Sequence, residues 1–331
     1  MAIATEIAGS GPRPTPQPIV VRNDRRAEDR AFRGLVRAAG YGSLVLLFLI
    51  GIFLVLRGLP ALHIMGWRFF TTSGYDTLGK HPSFGVLASL YGSVVVALVA
   101  LVVGVPIALA TALFLSEYAP LWSRRSLIAV VDLAAAVPSV IYGLWGFFEL
   151  QPNVVGFSTW LSRHLGFIPI FKVVSPPVTA SLFIAGLVVG IMIVPIIASI
   201  TREVFSLAPP GEREAALALG ASRFQMIRSV VVPFGRGGMI GAIMLGLGRA
   251  LGETIAVAII LGETFAISPH ILQHGGSTIA SLIAIHFPAG GPNGIADLLL
   301  CGFVLFLLTM IINLVASAIV NRSRSGAGIE I

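Results

Sequence analysis

The sequence predicts an all-α integral membrane protein with six transmembrane helices. The chain has 331 residues, of which 56% are hydrophobic and only 11% are charged, and its mean hydropathy is +0.93. Such a composition is typical of a protein whose surroundings are lipid rather than water. Six apolar stretches are long enough to cross the hydrocarbon layer, which takes about 20 residues of helix. The lipid bilayer is therefore a predicted partner of the chain.

The six predicted spans lie at residues 41–59, 86–115, 126–149, 178–200, 238–260 and 295–320. We treat residues 40–321 as one six-helix domain and residues 322–331 as a short tail. Residues 1–22 are Pro-rich and polar, which predicts disorder. Residues 23–39 read as a basic helix that lies along the membrane surface; an ordinary solvated tail is an equal alternative for this segment. The first span begins too far along the chain to be a cleaved signal peptide.

The distribution of basic residues predicts the orientation. With the N-terminus inside, sixteen of the 22 Lys and Arg residues fall in predicted cytoplasmic segments and only five fall outside. The positive-inside rule then places both termini and the loop at residues 209–233 in the cytoplasm. The net charge of +7 follows from the same bias. No nucleic-acid partner is expected, because the arginines flank membrane spans and lack interleaved aromatic residues.

The most informative loop lies at residues 209–233 and reads PPGEREAALALGASRFQMIRSVVVP. Its two leading prolines favour the opening of a helix, which strong helix formers such as Ala215 and Ala216 continue. Gly220 suits a left-handed C-cap, and Ser222 suits the N-cap of a second helix. The pattern predicts two short helices at an angle, with a small-residue face that a partner approaches closely. An ordinary helical loop is the alternative that the spacing disfavours.

A pair of charges is predicted near the middle of the fifth span. Arg249 would lie ~18 Å from the start of that helix, at 1.5 Å per residue, where each charge costs on the order of 3 kcal/mol. Glu253 is four residues further on, which places both side chains on one helix face. Arginine offers a planar fork of donors that suits oxyanions, so the pair predicts an anion pathway, with a purely structural ion pair as the alternative. Glu263, in a second Leu-Gly-Glu-Thr, could line an entrance, with a capping or solvated role equally open.

Several apparent motifs carry no function. Residues 74–81 nearly match a phosphate-binding loop but lack its Ser or Thr and follow no strand. His270 and His274 are four apart, yet no acidic residue stands between them, so solvated histidines are expected rather than a metal site. Cys301 lies inside the last span and indicates neither a disulfide nor a metal. No Ser, His and Asp arrangement is recognisable, so no catalytic residue is predicted.

The loop at 209–233 also reproduces a known pattern, EAA-x3-G-x9-I-x-L-P, in which Val230 and Val232 replace Ile and Leu. It resembles the signature loop of ABC-importer permeases, which docks on a separate ATPase subunit. Further motifs resemble the phosphate-specific transport permeases: residues 84–85 (FG), 91–93 (YGS), 114–120 (FLSEYAP), 137–146 (VPSVIYGLWG) and 246–254 (GLGRALGET). The last of these is similar to the longer, PstC-type permease rather than to its PstA-type companion.

This resemblance implies a type I ABC importer permease fold in a bacterial cytoplasmic (inner) membrane. It implies a heterodimer with a PstA-type permease, two copies of an ATP-binding subunit and an extracytoplasmic phosphate-binding protein. The chain itself would be no enzyme and would bind no cofactor, since ATP and Mg would be held by the partner ATPase. Its implied site residues fall into three groups: ATPase coupling by Glu214, Ala215, Ala216 and Gly220; the substrate pathway at Arg249 and Glu253; and further pathway or entrance positions at Ser139, Tyr142 and Glu263.

Three other functions remain as alternatives. An importer for another oxyanion or an organophosphate would share every motif, because the binding protein sets most of the selectivity. A secondary transporter would need no ATPase, but inverted repeats are then expected and none is found. A non-transporting membrane scaffold would retain the basic termini but gives no reason for charges at mid-depth.

Overall fold

The computed structural model describes residues 27–76, 83–174 and 178–324, and most of these residues are helical. The helices are α1 (Ala27–Met65), α2 (Leu87–Leu113), α3 (Leu121–Ala136), α4 (Ser139–Trp145), α5 (Gln151–Leu165), α6 (Leu182–Ser206), α7 (Pro210–Ala218), α8 (Arg223–Met226), α9 (Val232–Leu251), α10 (Ile255–Ile260), α11 (Ile279–His286) and α12 (Pro292–Arg324). Two short strands, β1 (Ser73–Asp76) and β2 (Ser83–Val86), pair antiparallel between α1 and α2.

Five helical segments of the described chain are long and apolar enough to cross a membrane: Asp29–Phe70, Leu87–Tyr118, Leu182–Ser206, Arg223–Leu251 and Pro292–Ile319. A sixth crossing is formed if the bent pair Leu121–Ala136 and Ser139–Leu165, which meet at 90°, is one span. With that pair counted once, the predicted six-helix class is confirmed.

The third predicted span, drawn as one helix over residues 126–149, is broken in the middle. Helix α3 ends at Ala136, and Val137 has an extended backbone with ψ of 129°. The cause is Pro138, because a proline ring disfavours the helical conformation of the residue before it. Helix α4 then begins at Ser139 in a new direction.

The chain divides into two compact units, Met1–Ile50 and Gly51–Ile331. In the first unit, every residue from 29 to 50 is exposed. The helix predicted over residues 23–39 coincides, from Ala27 on, with the first part of α1; its position along the membrane surface stays a prediction. Residues 23–26, the tail at 1–22 and residues 325–331 lie outside the described residues, while residues 322–324 close α12.

In the second unit, the largest buried cluster joins α2, α6 and α9. Small residues of α2, among them Ala97 and Ala100, pack against the buried Ile193 and Ile197 of α6. This close packing leaves little room between the helices and excludes water from the seam. The last turn of α9 docks on the same cluster through Ala250 and Leu251, which are both 3% exposed. The core therefore fixes the position of the turn that carries Arg249.

Candidate functional site

Arg249 and Glu253 do not lie on one continuous helix. Helix α9 ends at Leu251, and the Glu253 amide donates to the Ala250 carbonyl at 3.5 Å in a turn that does not continue. A new short helix, α10, begins only at Ile255. The prediction that the fifth span runs as one helix over residues 238–260, and that the two charges share a helix face, was therefore wrong.

The break is stabilised by side chains that bond the local backbone. The Glu253 carboxylate accepts a hydrogen bond from the Ala256 amide at 3.2 Å, which satisfies one of the free donors at the start of α10. The Thr254 hydroxyl donates to the Gly252 carbonyl at 3.0 Å. Short-range bonds of this kind compete with continuation of a helix. Glu253, 7% exposed, thus caps α10 instead of pairing with Arg249.

Arg249 faces an open cavity with its guanidinium unpaired. The side chain is exposed and makes no hydrogen bond or ion pair with any described residue. The cavity has a volume of about 660 Å³ and lies between α6, α9 and α12, lined by Ile196, Gly241, Met244, Leu245, Gly248, Arg249 and Asn313. Most of this lining is apolar, so the two polar side chains, Arg249 and Asn313, define its chemistry.

Asn313 is a site residue that the sequence reasoning missed. It lies in α12, nine residues before Arg322, which places it ~14 Å along the helix from that basic end. Its neighbours Ile311, Ile312 and Leu314 are all apolar. The sequence contained a signal for this residue, namely a single amide side chain within an apolar span. Such an amide is unfavourable in lipid unless it faces water or a partner. Its place beside Arg249 gives the cavity neutral donors and an acceptor as well as a charge.

Tyr142 and Ser139 lie on α4, directly after the break at Pro138. The Tyr142 hydroxyl donates to the Ala134 carbonyl at 3.0 Å, which ties α4 back to α3. Ser139 is the first residue of α4, and neither Ser139 nor Tyr142 lines the Arg249 cavity. Tyr142 instead lines a separate cavity together with residues of α2, α3 and α6.

The two short helices that follow the breaks pack against each other. Gly143 of α4 lies so close to α10 that a Cβ atom there would come within 2.7 Å of the Ala256 Cα. Only glycine allows this approach. The break after α3 and the break after α9 therefore meet in one junction, to which Glu253 contributes the cap of α10.

Glu263 lies elsewhere and has its own partners. Its carboxylate is 2.8 Å from His286 Nε2, and the His286 ring lies 4.2 Å from the Tyr75 ring, centroid to centroid, with the two planes tilted by 35°. His270 and His274 do not face each other as a pair, since each has its Nδ1 against a different carbonyl, of Pro169 and Thr179 respectively. Glu263 does not line the Arg249 cavity.

The loop at 209–233 folds as its spacing predicts. Gly220 takes a left-handed conformation with φ of +84°, and Ser222 forms a capping box with Gln225 at the start of α8. Helix α7 exposes Glu214 and Ala215 on one side. Ala216 faces inward and packs against a buried cluster. It is therefore the one of the four residues expected on the docking face that points toward the protein interior.

A second feature that the sequence reasoning missed is an ion pair beneath α7. Arg213 Nη1 donates to both carboxylate oxygens of Glu117, at 2.9 and 3.1 Å. Glu117 belongs to a π-helical turn, Phe114–Tyr118, that ends α2. The two residues are 96 positions apart, and nothing in the local spacing connects them.

The comparisons with known proteins agree with this architecture. A family model described as the binding-protein-dependent transport system inner membrane component matches residues 104–325. The phosphate transport system permease protein PstC 2 of Mycobacterium bovis is 41% identical over 322 residues, covering 95% of this chain and 99% of its own. The phosphate transport system permease protein PstC of Mycobacterium leprae is 42% identical over 313 residues, covering 93% and 97%.

Among solved structures, a bacterial ABC transporter involved in the import of the acidic polysaccharide alginate has a TM-score of 0.50 at 16% identity, covering 88% of this chain and 99% of that chain. This likeness shows the fold alone. With the family match, it confirms the fold that the loop at 209–233 implied.

Proposed function

Since the chain belongs to the family of binding-protein-dependent transport system inner membrane components, we propose that it forms the phosphate pathway of an ATP-driven importer. It is a multi-pass permease subunit of an ABC importer, and the names of its relatives supply the substrate. The observation that carries the proposal is the unpaired guanidinium of Arg249 in an otherwise apolar cavity. An arginine at this depth without a protein partner is a site for a passing anion.

The chemistry of the cavity suits a tetrahedral oxyanion. A guanidinium carries donors in a fixed fork that matches two oxygens of one phosphate. The Asn313 amide adds neutral donors on the facing helix and an acceptor for a protonated oxygen. Since the cavity holds one positive charge and few other polar groups, it attracts the anion without binding it tightly enough to prevent release. Glu253 caps α10 and does not line the cavity, so it is not assigned a contact with the substrate.

Coupling is assigned to the exposed face of α7. Glu214 and Ala215 lie on that face, and the exposed Gly220 lies in the turn that follows it; small residues there permit close approach, and the carboxylate offers a partner for a basic residue. The ATPase subunits, present in two copies, would hold ATP and Mg and carry out hydrolysis, while this chain binds no cofactor. A PstA-type permease would complete the pathway, and an extracytoplasmic phosphate-binding protein would deliver the substrate. Both termini would face the cytoplasm.

The experiment is uptake into vesicles that contain this chain with its companion permease, ATPase and binding protein. Labelled phosphate should accumulate only when ATP is present on the ATPase side. Preferred uptake of sulfate or of an organophosphate would show another oxyanion as the substrate. Uptake driven by an ion gradient without ATP would instead support a secondary transporter.

A further inference from the structure

Arg213 joins three separate parts of the chain. It lies on the inward face of α7, together with Ala216 three residues later. Its Nη1 atom holds the Glu117 carboxylate at the end of α2, and its Nη2 atom donates to the Phe205 carbonyl at the end of α6. Helix α7, which exposes Glu214, is thus bonded through Arg213 to the ends of two membrane-spanning helices, α2 and α6.

The pair is well shielded from solvent. The Glu117 side chain is 6% exposed and the Arg213 side chain 21% exposed, and Phe205 is 1% exposed. Low solvent access strengthens a charged hydrogen bond and leaves it little affected by salt. An ion pair with this burial and with both carboxylate oxygens engaged holds a fixed geometry, unlike an exposed pair.

A second contact attaches α8 to the same turn. The Arg223 guanidinium lies over the ring of Tyr118, 5.6 Å from its centroid, which is a favourable cation–π geometry. Tyr118 directly follows Glu117 in the π-helical turn. One turn at the end of α2 therefore holds both short helices of the loop, and π-helical turns of this kind are frequent at functional sites.

We propose that Glu117 and Arg213 are positioning residues that form a clamp, through which movement of α7 is transmitted to α2 and α6. Helices α2 and α6 pack tightly against each other and against α9, which carries Arg249. A displacement of α7 by the ATPase then reaches the wall of the cavity as a movement of packed helices. This inference rests on the proposed function in one respect, since it takes α7 as the element on which the ATPase acts.

The test uses the whole reconstituted complex and measures phosphate uptake, ATP hydrolysis and subunit co-purification together. Arg213→Met and Glu117→Gln should hydrolyse ATP yet move about tenfold less phosphate per ATP than the wild type, a size typical of lost coupling. The matched control is Glu212→Gln, an exposed carboxylate on the same helix, which should leave this ratio unchanged. Arg213→Lys, which keeps the charge but has one nitrogen in place of the two that serve Glu117 and Phe205, should be intermediate.

The double variant Glu117→Met/Arg213→Met decides whether the pair is more than structural. Each single change leaves one buried charge unpaired and can impair assembly, whereas the double change removes both charges. The clamp predicts that the double variant assembles, hydrolyses ATP and still shows the low ratio. Wild-type uptake per ATP in the double variant would overturn the clamp, as would loss of assembly in all three variants. Absence of phosphate uptake by the wild-type complex would instead contradict the proposed substrate. The clamp is then tested by the stimulation of ATP hydrolysis by the binding protein. The clamp predicts that this stimulation is lost in the double variant, and retained stimulation would overturn it.

Discussion

Replacing Arg249 by Gln should abolish most of the transport without disturbing assembly. The guanidinium is exposed to the cavity and bonds no described residue, so its removal leaves no buried charge without a partner. This differs from the outcome expected for a buried ion pair, where loss of one member is strongly destabilising. The structure therefore separates the role of Arg249 in transport from any role in folding.

The size of the effect follows from the bonds that the side chain can make. A hydrogen bond to a charged group contributes about 1.5–3 kcal/mol, and about 1.4 kcal/mol corresponds to a tenfold change in an equilibrium constant. If one such bond is lost in the rate-limiting step of transport, the uptake rate should fall roughly 10- to 150-fold. Arg249→Lys keeps the charge but not the fork, so it should lie between the wild type and Arg249→Gln.

Glu253→Gln provides the contrast within the same site. Its amide oxygen can still accept from the Ala256 amide, so α10 stays capped and uptake should remain within about threefold of the wild type. The matched control on α9 is Arg236→Gln, which removes an exposed charge outside the cavity. The assay is ATP-dependent phosphate uptake, normalised to assembled complex. Normal uptake by Arg249→Gln, or equal losses in Arg249→Gln and Arg236→Gln, would refute the reasoning.

Two further predictions concern the docking face and the helix junction. Glu214→Lys should abolish phosphate-stimulated ATP hydrolysis in the complex, while Glu212→Lys on the same exposed helix should retain it; equal activity in both would contradict the docking assignment. Gly143→Ala should destabilise the complex by about 1–3 kcal/mol, as overpacking does, because its Cβ would lie 2.7 Å from the Ala256 Cα. Thermal unfolding measures this, with Gly156→Ala as control, since nothing lies within 4 Å of that position; unchanged stability of Gly143→Ala would show that the junction is loose.

The fold was largely predictable because hydropathy reports burial in lipid along a whole helix. The structure has five single helical segments that are apolar and long enough to cross a membrane, although the fifth ends at Leu251 and not at the predicted residue 260. The fold of the loop at 209–233 was predictable for a related reason, since Gly220 and Ser222 act through short-range backbone chemistry. The positive φ at Gly220 and the capping box at Ser222 depend on a few neighbouring residues, and such effects are visible in a sequence.

The ion pair of Glu117 and Arg213 was hidden for the opposite reason. It joins residues 96 positions apart, and its formation depends on how α6 returns the chain to the end of α2. From the sequence, Arg213 counted only as one more basic residue on the cytoplasmic side. Long-range pairs of this kind are set by helix packing, which a pattern of residue types along one chain does not specify.

The two helix breaks show that the spacing of residues in a sequence does not always reveal where a helix ends. They also explain the positions of Arg249 and Glu253. At Pro138 the signal was visible, because the residue before a proline disfavours helix. At Glu253 the spacing from Arg249 fits a helix, and only the competing bond to the Ala256 amide reveals the turn. Since Gly143 lets α4 and α10 touch, each break is held by the other rather than left free to bend. The second break also explains why Glu253 caps α10 instead of pairing with Arg249, which leaves the guanidinium to face the cavity.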